Sequence, residues 1–349
     1  MDRVLRVLVV DDSAYVRKML KQMLSRSPFL EVVGAARDGR EALELAAELD
    51  PDVITCDLVM PEMDGVTFIR EQMSRNPIPI VIVSIAGESG ELALAALDAG
   101  AIEFLQKPTA LATEKVFEMS DELMEKVKAA ANVSMKRIAE ETPFNKRTTT
   151  AALPPKAGKG LIDIVVLGIS TGGPQALKYL IPQLPADFPV PLVVVLHMPV
   201  GYTELYARQL NELSPLKVIE ARHGDTVQAG TVLVAPAGRH LTFTRKEDGI
   251  VTVHLDLRPF DTQHRPSVDV TLQSAAQTFR DRTLGVVMTG MGADGKQGAA
   301  WIKSQGGIVF TESEETCVVY GMPGAVVEAG LSDKSVPLHQ LARVIQEAV

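Results

Sequence analysis

Short apolar runs, each leading to a polar residue and most followed by a helical pattern, recur along the chain from Val4 to Thr311. Residues 4–10 close on Asp11 and Asp12, residues 52–56 on Asp57, and residues 78–83 on Ser84, while residues 101–105 come just before Lys107. In the second half residues 164–167 lead to Ser170, residues 190–196 close on His197, and residues 284–288 run into the loop that carries Asp294. Runs of this length and β-branched content suit strands buried on both faces, and the helices between them are the crossovers that parallel pairing requires. The expected fold class is α/β, with two doubly wound, mainly parallel sheets. A β-hairpin over residues 241–255, turning at Lys246-Glu247-Asp248-Gly249, is expected in the second half.

At 349 residues the chain exceeds one ordinary core, so two domains are expected. Lys and Arg total 35 against 44 Asp and Glu, a net charge of -9 that argues against a surface built to bind nucleic acid. Cys56 and Cys317 are the only thiols, too few for a disulfide framework or a cysteine metal site, and a reducing cytoplasm is the simplest setting. No apolar segment reaches the roughly 18 residues of a membrane span, so no membrane insertion is expected. All six histidines, at 197, 223, 240, 254, 264 and 339, lie in the second half, which confines imidazole chemistry to it.

The domains are expected at residues 3–122 and 157–347, with a helix end and a basic linker over 123–156. From Lys126 to Gly160 there are eight Lys or Arg against two Glu, the composition of a solvated tether. A sharper reading makes this segment, with Lys146 and Arg147, a docking element for an acidic partner or for the domain interface.

Ligands of open α/β sheets collect at the carboxyl ends of the strands. In the first half those ends hold Asp11, Asp12, Asp57, Ser84 and Lys107. Three converging carboxylates raise one another's pKa, so they share a proton or a divalent cation, and Mg²⁺ suits hard oxygen ligands beside a phosphoryl group. Asp57 is then placed to accept phosphate as an acyl phosphate, with Lys107 and the Ser84 hydroxyl on the phosphoryl oxygens. Taken singly, Asp57 and Asp64 each read better as turn or helix-cap residues, and it is the five polar residues at the strand ends together that favour the functional reading.

The elements V-D-D, C-D-L-V-M-P-E-M-D-G, V-S and Q-K-P resemble those of the response-regulator receiver domain over residues 3–122. The resemblance implies a flavodoxin-like fold and phosphorylation of Asp57 by a partner histidine kinase. It also implies Mg²⁺ held by Asp11, Asp12 and Asp57, phosphoryl sensing by Ser84 and Lys107, and a switch aromatic at Phe104. Val59 is apolar where many receivers carry a polar side chain.

In the second half, Ser170 lies between an apolar strand and a helix start at Pro174. Such a turn serves either a phosphate cradle or a serine nucleophile with an oxyanion hole beside it. Gly168, Gly172 and Gly173 do not make G-x-G-x-x-G and no Walker lysine follows, which disfavours a nucleotide. If their strands are neighbours, Ser170, His197 and Asp294 share one crevice as nucleophile, base and orienting acid. His223 and His240 follow shorter strands and are fallback bases, His254 is a hairpin residue and His339 a helix-surface residue. Each triad member has a plain alternative: Ser170 as an N-cap, His197 as a packed residue, Asp294 as the cap of the next helix. The order Ser, His, Asp and the motif G-I-S-T-G-G both depart from the α/β-hydrolase pattern. Gly172 and Gly173 are expected to let a substrate helix approach closely.

The motifs G-I-S-T-G-G, L-H-M-P, H-R-P-S-V-D and M-T-G-M-G-A-D-G resemble the catalytic domain of the chemotaxis protein-glutamate methylesterases, the CheB family, over residues 157–347. The resemblance implies a Rossmann-like domain that demethylates γ-glutamyl methyl esters, and deamidates glutamines, on chemoreceptors. It places the triad at Ser170, His197 and Asp294 and adds Met291 to Thr171 as a backbone oxyanion donor. Chemoreceptors are the implied substrate, a chemotaxis histidine kinase the phosphodonor, and no cofactor serves the hydrolysis itself. The fusion suggests that the first domain covers the crevice until Asp57 is phosphorylated. Two rivals are a receiver-fused transcription regulator, which needs a basic helix-turn-helix that the second half lacks, and a non-catalytic adaptor that kept the fold.

Overall fold

The computed structural model describes residues 3–85, 90–107, 113–133 and 162–349. Two compact units meet in sequence between Thr142 and Pro143. Most of the expected linker, with Lys146 and Arg147, lies outside the described residues.

The first unit alternates β1 (Leu5–Val10), α1 (Ala14–Leu24), β2 (Leu30–Ala36), α2 (Gly39–Leu49), β3 (Val53–Cys56), α3 (Gly65–Arg75), β4 (Ile80–Ile85), α4 (Gly90–Asp98), β5 (Glu103–Lys107) and α5 (Thr113–Ala131). Its five strands are parallel in the order β2-β1-β3-β4-β5. The chain changes direction along the sheet at β1, so the carboxyl ends of β1 and β3 open onto a crevice between oppositely directed crossovers. Helix starts are set by side-chain caps: Ser13 accepts from Val16 N, Asp38 from Arg40 N and Glu41 N, and Asp64 from Thr67 N. Leu123, Val127 and Ala130 of α5 are buried against Val7, Val9 and Leu20, so the unit's core extends past residue 122.

The second unit contains β6 (Ile164–Ile169), α6 (Gly173–Leu180), β7 (Leu192–Leu196), α7 (Thr203–Leu213), β8 (Lys217–Glu220), β9 (Thr231–Val234), β10 (His240–Arg245), β11 (Val251–Asp256), α8 (Val268–Phe279), β12 (Thr283–Val287), α9 (Lys296–Ser304), β13 (Ile308–Glu312), α10 (Met322–Glu328), β14 (Lys334–Val336) and α11 (Leu338–Ala348). Seven strands form a wholly parallel sheet in the order β14-β13-β12-β6-β7-β9-β8. The antiparallel pair β10-β11 stands apart from it and packs Leu241, Phe243, Val251 and Val253 into the core. β12, β6 and β7 are neighbours with their carboxyl ends level, Gly168 opposite Val287 and Ile169 opposite Leu196. β14 escaped the sequence reading because three residues, two of them exposed, carry no periodic signal. Among the described residues no helix is long and apolar enough to cross a membrane.

Candidate active site

Ser170 follows β6 directly, and its turn is tied to both neighbouring strand ends. Ser170 N–H donates to Thr289 O at 2.9 Å, and His197 N–H, just past β7, donates to Ile169 O at 3.1 Å. Gly173 N–H closes the turn on Ser170 O at 2.7 Å. The loop after β12 presses on the same turn, because a Cβ on Gly290 would stand 2.8 Å from Ser170 Cβ. Only a residue without a side chain permits that approach.

The His197 ring is anchored through Nε2, 2.9 Å from Asp294 Oδ2. Its Nδ1 is buried and has no hydrogen-bond partner among the described residues. Asp294 is held in turn by the start of α8. Its Oδ2 accepts from Val268 N at 2.8 Å, and its Oδ1 from Asp269 N at 2.9 Å and the Ser267 hydroxyl at 3.0 Å. Burial pushes this carboxyl up, but the hydrogen bond and charge of His197, with the N–H groups of Asp269 and Val268, outweigh it and hold the pKa at about 2. An ionised carboxylate therefore faces the ring, and a neutral ring bound this way carries its proton on Nε2 and its lone pair on Nδ1. Asp294 does not cap the helix that follows it, which was its plain alternative. Asp269 does: its Oδ1 accepts from Gly295 N at 2.9 Å and Gly298 N at 2.7 Å at the start of α9. Burial and the charge of Asp294 raise the Asp269 carboxyl to about 6.

The other histidines separate cleanly. His240 is buried, with Nε2 3.1 Å from both Pro259 O and the Thr262 hydroxyl and Nδ1 accepting from Ser267 N at 3.2 Å, so it is a structural residue and no fallback base. His223 is exposed, accepts from Leu255 N and stands edge-on to His254 of β11, 4.9 Å between ring centres. His339 is exposed on α11. His264, which sequence reasoning left without a role, stacks on His197 with 4.0 Å between ring centres. Its place at the head of the H-R-P-S-V-D motif was the signal available for it. The segment Val318–Met322 was also missed. Val319 N–H donates to Thr289 Oγ1 at 3.0 Å, while Gly321 and Met322 N–H both donate to Gly290 O.

The expected role of Gly172 and Gly173 requires correction. Gly172 has φ +77°, and a Cβ there would stand 2.5 Å from Val318, while a Cβ on Gly173 would stand 2.8 Å from Leu196. Both glycines answer to the protein's own packing and backbone conformation, which leaves no need to invoke substrate approach.

In the first unit Asp11, Asp12 and Asp57 each offer a carboxylate oxygen within 4.8 Å of the others, a hard-oxygen set that fits Mg²⁺. Lys107 Nζ lies 2.6 Å from Asp11 Oδ2 and 2.5 Å from Asp57 Oδ2, so the carboxylates already have a counter-charge. Burial raises the Asp11 carboxyl against the pull of Lys107. Asp57 Oδ1 accepts from Leu58 N at 2.7 Å. Ser84 and Phe104 are buried on β4 and β5, and the Val59 side chain is exposed. Asp64 is the helix cap its plain reading made it.

The chain matches the family model of the CheB methylesterase over residues 165–345 and that of the response regulator receiver domain over residues 7–117. It is 50% identical to the protein-glutamate methylesterase/protein-glutamine glutaminase 5 of Myxococcus xanthus, over 99% of this chain and 98% of that one. It is 41% identical to the protein-glutamate methylesterase/protein-glutamine glutaminase of Thermotoga maritima, over 100% of this chain and 99% of that one. The crystal structure of the Thermotoga maritima CheB methylesterase catalytic domain superposes with a TM-score of 0.53 at 44% identity, covering 54% of this chain and 99% of that one.

Proposed function

Because the chain belongs to the CheB methylesterase family, with a receiver domain ahead of the catalytic domain, we propose that it is a phosphorylation-activated serine hydrolase of chemotaxis that demethylates γ-glutamyl methyl esters, and deamidates glutamines, on chemoreceptors. One observation carries the mechanism: His197 holds Asp294 with Nε2 and keeps a buried Nδ1 that has no hydrogen-bond partner among the described residues, one strand away from Ser170.

In the proposed reaction Nδ1 of His197 takes the proton of Ser170 as Oγ attacks the γ-carbonyl carbon. The negative charge on Asp294 stabilises the imidazolium and holds its orientation. The tetrahedral oxyanion is met by the N–H groups of Thr171 and Met291, each worth about 3 to 4 kcal/mol if well placed. His197 then returns its proton to the leaving oxygen as methanol departs, or to the leaving nitrogen as ammonia departs. Water, deprotonated by Nδ1, attacks the acyl-Ser170 ester, and glutamate is released with Ser170 restored. These steps use side chains and backbone of this chain alone.

In the first unit, Asp57 is proposed to accept phosphate from a chemotaxis histidine kinase in the cytoplasm. Mg²⁺ held by Asp11, Asp12 and Asp57 would neutralise charge on the phosphoryl oxygens. Lys107 and Ser84 sense the new group, and Phe104 is the switch aromatic.

The test is methanol release from a methylated receptor together with labelling by a serine-directed phosphonate. Wild type is expected to release methanol and take the label at Ser170, and Ser170→Ala to do neither. Near-wild-type release by Ser170→Ala would overturn the nucleophile assignment.

A further inference from the structure

Glu312 ends β13, next to β12 in the sheet, and is fully buried. Among the described residues no cation pairs with it. Its Oε2 accepts from Thr289 N at 2.9 Å and its Oε1 from the Thr316 hydroxyl at 3.0 Å. A buried carboxylate satisfied only by neutral donors is costly to keep, so it needs a reason other than stability.

Thr289 supplies that reason, because all its polar atoms are engaged and most lead toward the nucleophile turn. Its carbonyl accepts from Ser170 N at 2.9 Å. Its hydroxyl donates to Thr171 O at 2.9 Å and accepts from Val319 N at 3.0 Å. Its own N–H is the group that Glu312 holds.

We propose that Glu312 is a positioning residue for the hydrolysis, fixing Thr289 and, through it, the peptide groups of Ser170 and Thr171. The proposal rests on the reading of Ser170 as the nucleophile.

Burial pushes the Glu312 carboxyl up to about 7, against the lowering effect of its Thr289, Thr316 and Cys317 contacts. The titratable side chain beside it is Cys317, whose thiol burial and the Glu312 charge keep neutral. Ionised, Glu312 accepts from both Thr289 and Thr316. Protonated, it must donate through Oε1, and the Thr316 hydroxyl, whose oxygen also accepts from Leu338 N at 2.9 Å, turns toward Ser313 O, 3.5 Å away. Thr289 N–H then faces a neutral acceptor, and a charge-assisted bond is about twice as strong as a neutral one. The nucleophile turn is therefore held more firmly when Glu312 is ionised.

The test uses the full chain, phosphorylated with acetyl phosphate and Mg²⁺, acting on a peptide that carries a γ-methyl glutamate. Methanol release gives kcat and KM from mildly acid to mildly alkaline pH. Wild type is expected to lose part of its kcat as pH falls through about 7, where Glu312 takes up its proton. Glu312→Gln offers Thr289 the neutral acceptor, and Thr316 the donor, of the protonated acid at every pH, so above neutrality its kcat is expected to lie below wild type, and the Glu312 step is absent from its profile. Glu312→Ala is expected to lower kcat by about ten- to a hundredfold with little change in KM. If Glu312→Ala does not fold, as judged by its melting curve, the Glu312→Gln profile alone decides. An active wild type with a folded Glu312→Ala of undiminished kcat, or a Glu312→Gln whose kcat profile coincides with that of wild type, overturns the proposal. A wild type that releases no methanol overturns the nucleophile reading and this proposal with it.

Discussion

His197 meets Asp294 through Nε2, 2.9 Å from Oδ2, which leaves Nδ1 as the basic face of the ring. The pairing is made rigid from behind, since Asp294 also accepts from Val268, Asp269 and Ser267. Asp294→Asn removes the charge that orients and stabilises the imidazolium. We expect kcat to fall on the order of ten-thousandfold, as removal of the triad charge does elsewhere, with KM little changed. Steady-state methanol release on folded variant protein checks it, and a loss confined to KM would contradict the assignment.

Gly172 and Gly292 both have positive φ, +77° and +81°, but only a Cβ at 172 meets another side chain. Gly292→Ala is expected to cost about 1 to 2 kcal/mol for its backbone conformation alone. Gly172→Ala adds the collision with Val318 and shifts the Ser170 turn, so it should melt lower and lose activity as well. Equal melting temperatures for the two variants would refute this.

Lys107 neutralises Asp11 and Asp57 in the first unit. Lys107→Met leaves those buried carboxylates unpaired, at a cost of about 3 to 5 kcal/mol. Thermal melting in a chelator should show the loss. Added Mg²⁺ should raise the melting temperature of Lys107→Met more than that of wild type, because the cation replaces the missing charge. The same Mg²⁺ shift in both proteins would exclude the carboxylates as its site.

Stability should depend on pH through Glu312. Its carboxyl is raised from 4.5 to about 7 on folding, so the folded state binds the proton more tightly than the unfolded one. The contribution is fully present below about 4.5 and is lost as pH rises through about 7. Glu312→Gln removes this dependence. Its stability relative to wild type should rise by about 3 kcal/mol between those limits, at roughly 1.4 kcal/mol per pH unit. Denaturant midpoints measured at both ends of the window check the sign, and a gap that narrows with rising pH would disprove it.

Removal of residues 1–150 is expected to raise basal methanol release if the receiver restrains the catalytic domain. The catalytic domain of the Thermotoga maritima relative crystallises on its own, so the truncated chain is a reasonable reagent. Rates without phosphodonor, compared before and after removal, decide the matter. An unchanged rate would leave phosphorylation to act by some route other than relief of occlusion.

Much of this was legible in the residues. The buried runs, their polar tips at Asp57, Ser170 and His197, and the helix starts at Ser13, Asp64 and Pro174 are local signals, because strand burial and helix capping depend on neighbours within a few positions. The hairpin turn at Gly249 is local in the same sense. What lay beyond the sequence depends on strand order. Placing β6 between β12 and β7 brings the Asp294 loop to the His197 ring across 97 positions of chain. The same order brings Val318 to Gly172, His264 to the face of His197, and Glu312 to Thr289. Residue types and spacing thus determined two parallel α/β units and the list of reactive strand ends. Tertiary structure alone decided which ring nitrogen is free, what each glycine makes room for, and that a buried carboxylate stands behind the nucleophile turn. Contacts between distant segments follow from how strands are ordered in the sheet, and no local pattern encodes that order.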